Sequence, residues 1–171
     1  MIFIYGCGDV GLESGAWTIA MNSSTPPDSH EYGSAGPTPE SVVQYLRELT
    51  PVAGGPVSES ADVNGERYVN SITLSPNSPW QGADMAEYNL SRDWRRFRAV
   101  LGVRDDAPAD AKARVEIFGD GKRLYRKDFS LGRSDRVDID VSHVLRLKLQ
   151  TTTIAGVDVY SVVFGDSLLV K

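Results

Sequence analysis

From residue 68 onward the sequence returns to one pattern: short segments in which apolar and polar side chains alternate, closed off by glycine, proline, serine or aspartate. A period of two puts successive side chains on opposite faces of an extended strand, so each segment buries one face and wets the other. The segments 68–74 (YVNSITL), 97–103 (FRAVLGV), 114–118 (RVEIF), 123–129 (RLYRKDF), 136–141 (RVDIDV), 144–149 (VLRLKL) and 159–164 (VYSVVF) all read this way. They are rich in branched and aromatic residues, which suit a pleated, half-buried surface. Asp120-Gly121 separates two of them, and this dipeptide supplies the positive φ that a two-residue type I′ hairpin needs at both central positions. Seven or eight short strands spaced by turn signals predict an all-β chain folded as an antiparallel β-sandwich.

One segment breaks the period. Over 39–49 (PESVVQYLREL) apolar residues at 42, 45, 46 and 49 follow a helical stripe, with Thr38 placed as N-cap, Pro39 at the first helical position and Glu40 in the first turn. Pro51 and Gly54-Gly55-Pro56 would end it. The expectation is one short N-terminal helix packed on the edge of the sandwich. Residues 1–40 are irregular, polar and rich in glycine and proline, and read as an extension or linker ahead of a module over 41–171. Charge changes with the pattern: residues 1–64 hold eight acids against Arg47 alone, whereas 17 bases and 15 acids follow from Gly65.

Composition removes several function classes. A length of 171 residues and a net charge of −5 fit one ordinary domain and argue against a binder of duplex nucleic acid that relies on phosphate neutralisation. Cys7 is the single cysteine and His30 and His143 are the two histidines, so neither an internal disulfide nor a Cys/His zinc site can be assembled. No apolar run approaches the roughly 20 residues of a membrane span, and no basic start marks a secretory signal. The compartment is left open by these features.

Gly6-Cys7-Gly8-Asp9-Val10-Gly11 follows a strand-like opening and matches a dinucleotide-binding glycine pattern, but no crossover helix and second strand fit before residue 39. His143 sits in a turn between strands and His30 in the extension, and neither has a nucleophile to activate. Most acids fall on outward strand positions, as Asp138 and Asp140 do, or in turns. Asp105, Asp106 and Asp110 form the one acidic cluster in a loop; hard oxygen ligands of this kind suit calcium, while the competing reading has them capping turns, with Arg104 and Lys112 offsetting their charge. No other cofactor is expected. The tract 92–98 (RDWRRFR) mixes bases with aromatics as a single-strand nucleic-acid surface does, yet alternation turns Phe97 inward and Arg96 and Arg98 outward, the pattern of a strand's wet face.

A family resemblance rests on "YLRELTPV" at 45–52, "VNGERYVNSITL" at 63–74, "YNLSRDWRRFRAVLGVRDDAP" at 88–108, "VEIFGDGKRLY" at 115–125, "VDIDVSHVLRLKL" at 137–149 and "VVFGDSLL" at 162–169. In order and spacing, the chain from about Val42 to Val170 resembles the NPCBM family of carbohydrate-binding modules, in its actinobacterial form. The resemblance implies a galactose-binding-domain-like jelly roll, non-catalytic, whose partner is a glycan. It further implies attachment to a catalytic or signalling domain in a longer protein and an extracellular setting. The segment 75–84 departs from the family by lacking a histidine, and Phe164 stands where tryptophan is frequent. An alternative reading keeps the sandwich as a structural or protein-interaction module without sugar binding.

If consecutive strands run antiparallel, the connections at 75–84, 104–112, 131–134 and 151–158 share one end, and those at 91–94, 120–121 and 142–143 share the other. Long loops on a rigid scaffold are where binding usually resides. Trp80 is the expected stacking platform there, with Asn77, Gln81, Asp84, Arg104, Asp105, Arg133 and Asp158 as hydroxyl partners.

Overall fold

A computed structural model describes residues 41–76, 84–156 and 158–171. The described residues form eleven strands: β1 (Val43–Tyr45), β2 (Ala53–Gly54), β3 (Val57–Val63), β4 (Glu66–Leu74), β5 (Met85–Asn89), β6 (Arg96–Val103), β7 (Lys112–Gly119), β8 (Lys122–Ser130), β9 (Ser134–Asp140), β10 (Arg146–Ala155) and β11 (Val162–Val170). One sheet has the order β3-β4-β11-β6-β9, with β1 also paired to β11; the other runs β2-β5-β10-β7-β8. Every pairing is antiparallel. The antiparallel all-β sandwich expected from the alternation is therefore what forms.

Alternation is visible in the burial. Along β7, Ala113, Val115 and Ile117 face the core while Arg114, Glu116 and Phe118 between them do not. Leu147 and Leu149 of β10, Phe97 and Leu101 of β6, and Phe164 and Leu169 of β11 close the same core from both sheets. Asp120 (φ 48°) and Gly121 (φ 81°) adopt the left-handed values that the β7–β8 hairpin demands.

The expected helix is not there. Residues 43–45 extend as β1 with Val43 opposite Val170, and only Leu46–Glu48 close into a single 3-10 turn. The β-branched pair Val42-Val43 suits an extended backbone, the edge of β11 supplies ladder partners, and Lys171 donates its N–H to the carbonyl of Val42 at 3.0 Å. Of the four residues on the proposed stripe, Leu46 alone is fully buried. A stripe of four positions is short, and nucleating a helix costs more than pairing with a waiting edge. The capping residues 38–40 lie outside the described residues.

β4 departs from a flat sheet in a way that matters for the surface. It pairs with β11 only through Ile72, Thr73 and Leu74, while β1 takes the edge of β11 at Leu168–Val170. Bulges fall at 59–61 in β3 and at 165–168 in β11, and bulges bend strands. The far half of the β3–β4 hairpin packs on the outer face of its own sheet, where Ala61, Val63 and Tyr68 meet Val100 and Val163 in a second small apolar cluster. Gly165 makes this approach feasible, since a Cβ there would lie 2.7 Å from Cγ of Tyr68. The hairpin tip is pinned by Asp105, whose two carboxylate oxygens accept the N–H groups of Asn64 (2.6 Å) and Gly65 (2.8 Å). Asp166, itself left-handed at φ 42°, accepts the N–H of Asn70 at 3.0 Å.

Candidate functional site

The strand registers decide which connections meet. In the first sheet Leu74, Val162 and Val103 are level, and Gly102 is level with Ser134. In the second, Gln150 is level with Met85, and Ala155 with Lys112 and Ser130. The connections 104–111, 131–133 and 156–161, and both flanks of the connection after Leu74, therefore share one end, as the alternation argument expects. β10 runs on to Ala155, so 151–155 is strand and not loop; its Thr-Thr-Thr-Ile sequence favours extension.

Cross-links hold this end together. The Tyr160 hydroxyl donates to the carbonyl of Lys112 at 2.8 Å and lies 3.2 Å from that of Ala155. Burial raises the Tyr160 phenol above its ordinary value, which keeps it a donor. Thr151 donates through its N–H (2.7 Å) and its hydroxyl (3.1 Å) to the carbonyl of Asp84. The Arg104 N–H reaches the Ser161 carbonyl at 3.0 Å, and the hydroxyls of Ser75 and Ser161 are 3.0 Å apart.

The sequence-derived ligand set divides in three. Asp84, Arg133 and Asp158 are exposed at the loop end. Arg104 and Asp105 are engaged by the protein itself: Arg104 Nη1 lies 2.9 Å from Oε1 of Glu59 and its Nε 3.2 Å from Oδ2 of Asp106, and Asp105 holds the hairpin tip. Glu59 also accepts the Thr73 hydroxyl at 2.9 Å, so Arg104 is a brace between loop and sheet. Asn77, Trp80 and Gln81 lie outside the described residues.

The same bonds bear on calcium. Asp105, Asp106 and Asp110 are not gathered round one centre, and among the described residues no group of three or more His, Cys, Asp or Glu could hold a metal ion. Both oxygens of Asp105 accept N–H groups of the distant hairpin tip and Asp106 is paired to Arg104, so these two acids bond to other parts of the protein and do not cap their own loop. His143 is exposed in the turn between β9 and β10, where the sequence placed it. The glycine pattern at 6–11 and His30 lie outside the described residues.

The outer face of the first sheet carries a hollow of about 320 Å³ that sequence reasoning missed, lined by Glu66, Tyr68, Arg98, Arg136 and Asp166 among others. Its polar groups already have protein partners: the Tyr68 hydroxyl donates to Glu66 at 2.6 Å, Arg136 approaches Glu66 at 3.4 Å, and Arg98 pairs with Asp138, outside the lining, at 3.2 Å. Burial, helped by the bond to Glu66, pushes the Tyr68 phenol up to about 12. Only the fold-over of the hairpin brings Glu66 near Arg136, and no local signal announces it.

Comparison with known families settles the kinship. The profile of the NPCBM/NEW2 domain matches residues 48–166. The chain belongs to the NPCBM/NEW2 family. Among solved structures, this NPCBM/NEW2 module is similar to the CBM51 from Clostridium perfringens GH95 in complex with methyl-galactose (TM-score 0.59, 20% identity), covering 75% of this chain and 99% of that one. It is also similar to the structure of the M60 catalytic domain with two CBM51 domains from Clostridium perfringens ZmpB (TM-score 0.58, 20% identity; 74% of this chain, 15% of that one). A third is the CBM51-2 of the same protein in complex with GlcNAc, with INT domains (TM-score 0.59, 14% identity; 76% of this chain, 32% of that one). At these identities the likeness is one of fold. A search of curated proteins finds no match.

Proposed function

We propose that this NPCBM/NEW2 module binds a glycan at the loop end of its sandwich without turning it over. The observation that carries the reading is the family match over 48–166, laid on a sandwich whose long connections converge at one end. Two similar structures hold sugars, methyl-galactose in one and GlcNAc in the other, and we carry that ligand class over to this chain. Asp84, Arg133 and Asp158 are exposed there as hydroxyl partners, with Trp80 the stacking platform proposed from the sequence. Arg104 and Asp105 shape the end and do not contact ligand. A similar CBM51 pair is found beside a catalytic domain, which supports a delivery role: the module holds an attached enzyme near glycans displayed outside the cell.

A glycan array followed by affinity gels tests this. Retention of a neutral galactose- or GlcNAc-bearing glycan, weakened at least about tenfold by Trp80→Ala and by the pair Asp84→Ala and Asp158→Ala, is expected. Binding unchanged by these variants would move the site elsewhere. Capture of a protein partner with no glycan retained would favour the protein-interaction alternative.

A further inference from the structure

We propose that the opposite end of the sandwich carries a second site, for an anionic group borne on a glycan chain. A hollow of about 520 Å³, within the about 300–1,000 Å³ of small-ligand sites, is lined there by Arg92, Asp93, Trp94, Arg95, Ser142 and His143.

Two arginines without an ion pair among the described residues meet at this place. Arg96, Arg98, Arg104, Arg114, Arg123, Arg136 and Arg146 each lie within ion-pair distance of a carboxylate. Arg92 and Arg95 do not, among the described residues, although they share one hollow. Asp120 feels Arg92 through space, but its oxygens already accept the N–H groups of Leu145 and Arg146. Lys171 adds a third cation, its Nζ 5.2 Å from the centre of the Trp94 ring. Asp93 is the one acid in the lining, so the hollow is net positive in a chain whose overall charge is −5. Cations in excess of the acids around them attract an anion, and planar guanidinium groups match carboxylate and sulfate geometry.

The backbone is already arranged for it. Ser91, Arg92 and His143 have φ of 52°, 63° and 66°, values that cost a residue with a bulky side chain energy and that project Arg92 and His143 from their turns. Asn89 Oδ1 accepts the Ser91 N–H at 3.2 Å and Asp140 Oδ1 the Ser142 N–H at 2.8 Å, fixing both turns. Arg95 ties them together: its N–H reaches the Val170 carbonyl and its carbonyl receives the Val141 N–H, both at 2.8 Å. A site already held in shape loses less entropy on binding. Trp94, partly buried against the core, puts an aromatic side chain into the lining beside the cations, which favours an anionic glycan over a small inorganic anion.

This inference rests on the glycan-binding reading, and its test separates the two. Affinity gels of the full chain at physiological salt would use polygalacturonate for carboxylate and dextran sulfate for sulfate ester, with neutral galactan and dextran as references. The expected result is retardation by at least one anionic polymer, reduced about tenfold or more by Arg92→Gln with Arg95→Gln and reduced by Trp94→Phe. Arg126→Gln, another unpaired arginine on a different face, should leave it unchanged, and the arginine variants should keep the wild-type melting temperature. Retardation by neutral galactan alone would overturn this site and leave the proposed function standing; no retardation by any of these polymers together with no binding on the glycan array would overturn both. Equal loss in Arg126→Gln, equal retardation by single-stranded DNA, or competition by sulfate ion at the same concentration as the polymer's own charges would show nonspecific charge attraction and overturn the site.

Discussion

The two ends of the sandwich use charge in opposite ways. At the loop end, the charged residues that the sequence marks out most clearly, Arg104, Asp105 and Asp106, spend their hydrogen bonds on the protein. At the other end the connections are short and their turns are closed by Asn89, Asp120 and Asp140, and Arg92 and Arg95 have no ion-pair partner among the described residues. A long loop must find partners for its backbone and uses its own acids to do so. A short turn needs fewer, and its remaining side chains are free for other work.

Breaking the loop end should have the largest effect. Asp105→Ala removes two charge-assisted bonds to the hairpin tip and should lower stability by about 2 kcal/mol in urea unfolding, with glycan retention little changed. Intact stability with lost retention would instead make Asp105 a ligand-contacting residue. Tyr160→Phe comes next, at about 1 kcal/mol, and should speed amide exchange in 156–161 while leaving 91–95 untouched. The double change Arg92→Gln and Arg95→Gln should shift stability by less than about 0.5 kcal/mol, because neither side chain holds a partner in place. A loss comparable to that of Asp105→Ala would erase the contrast between the ends.

The smallest effect is a local one with pH. Backbone N–H bonds, from Arg146 and Leu145 to Asp120 and from Ser142 to Asp140, hold both carboxyls below the ordinary carboxylate value in the folded chain. Their contribution is therefore fully present above that value and lost as pH falls through the lower, folded one. Amide exchange at Ser142, Leu145 and Arg146, corrected for intrinsic rate, should lose protection as pH falls below the ordinary carboxylate value. Asp120→Asn should flatten this response at Leu145 and Arg146 but not at Ser142.

Much of this could be read from the chain before folding, and the failures are instructive. The strands of the second half were legible because alternation is local, and the Asp120-Gly121 hairpin because positive φ is a property of the residues themselves. β3 and β5 went unread from periodicity: Val57–Val63 opens with exposed residues, and Met85–Asn89 is only five residues long. The false helix had a helical stripe but too little length, and an edge of β11 waiting for it. The outward placing of Arg96 and Arg98 followed from period two, and Asp138 is their partner.

The sequence by itself determined that this chain makes antiparallel strands, which faces they bury, and at which end its long connections gather, since period two and turn chemistry act over a few residues. Which charges are free was decided by the tertiary structure. Asn64 and Asp105 are 41 positions apart, and Asn70 and Asp166 are 96 apart. They meet because bulged strands fold a hairpin back over its own sheet, and a Coulomb partner is chosen by distance in space, to which sequence separation is no guide.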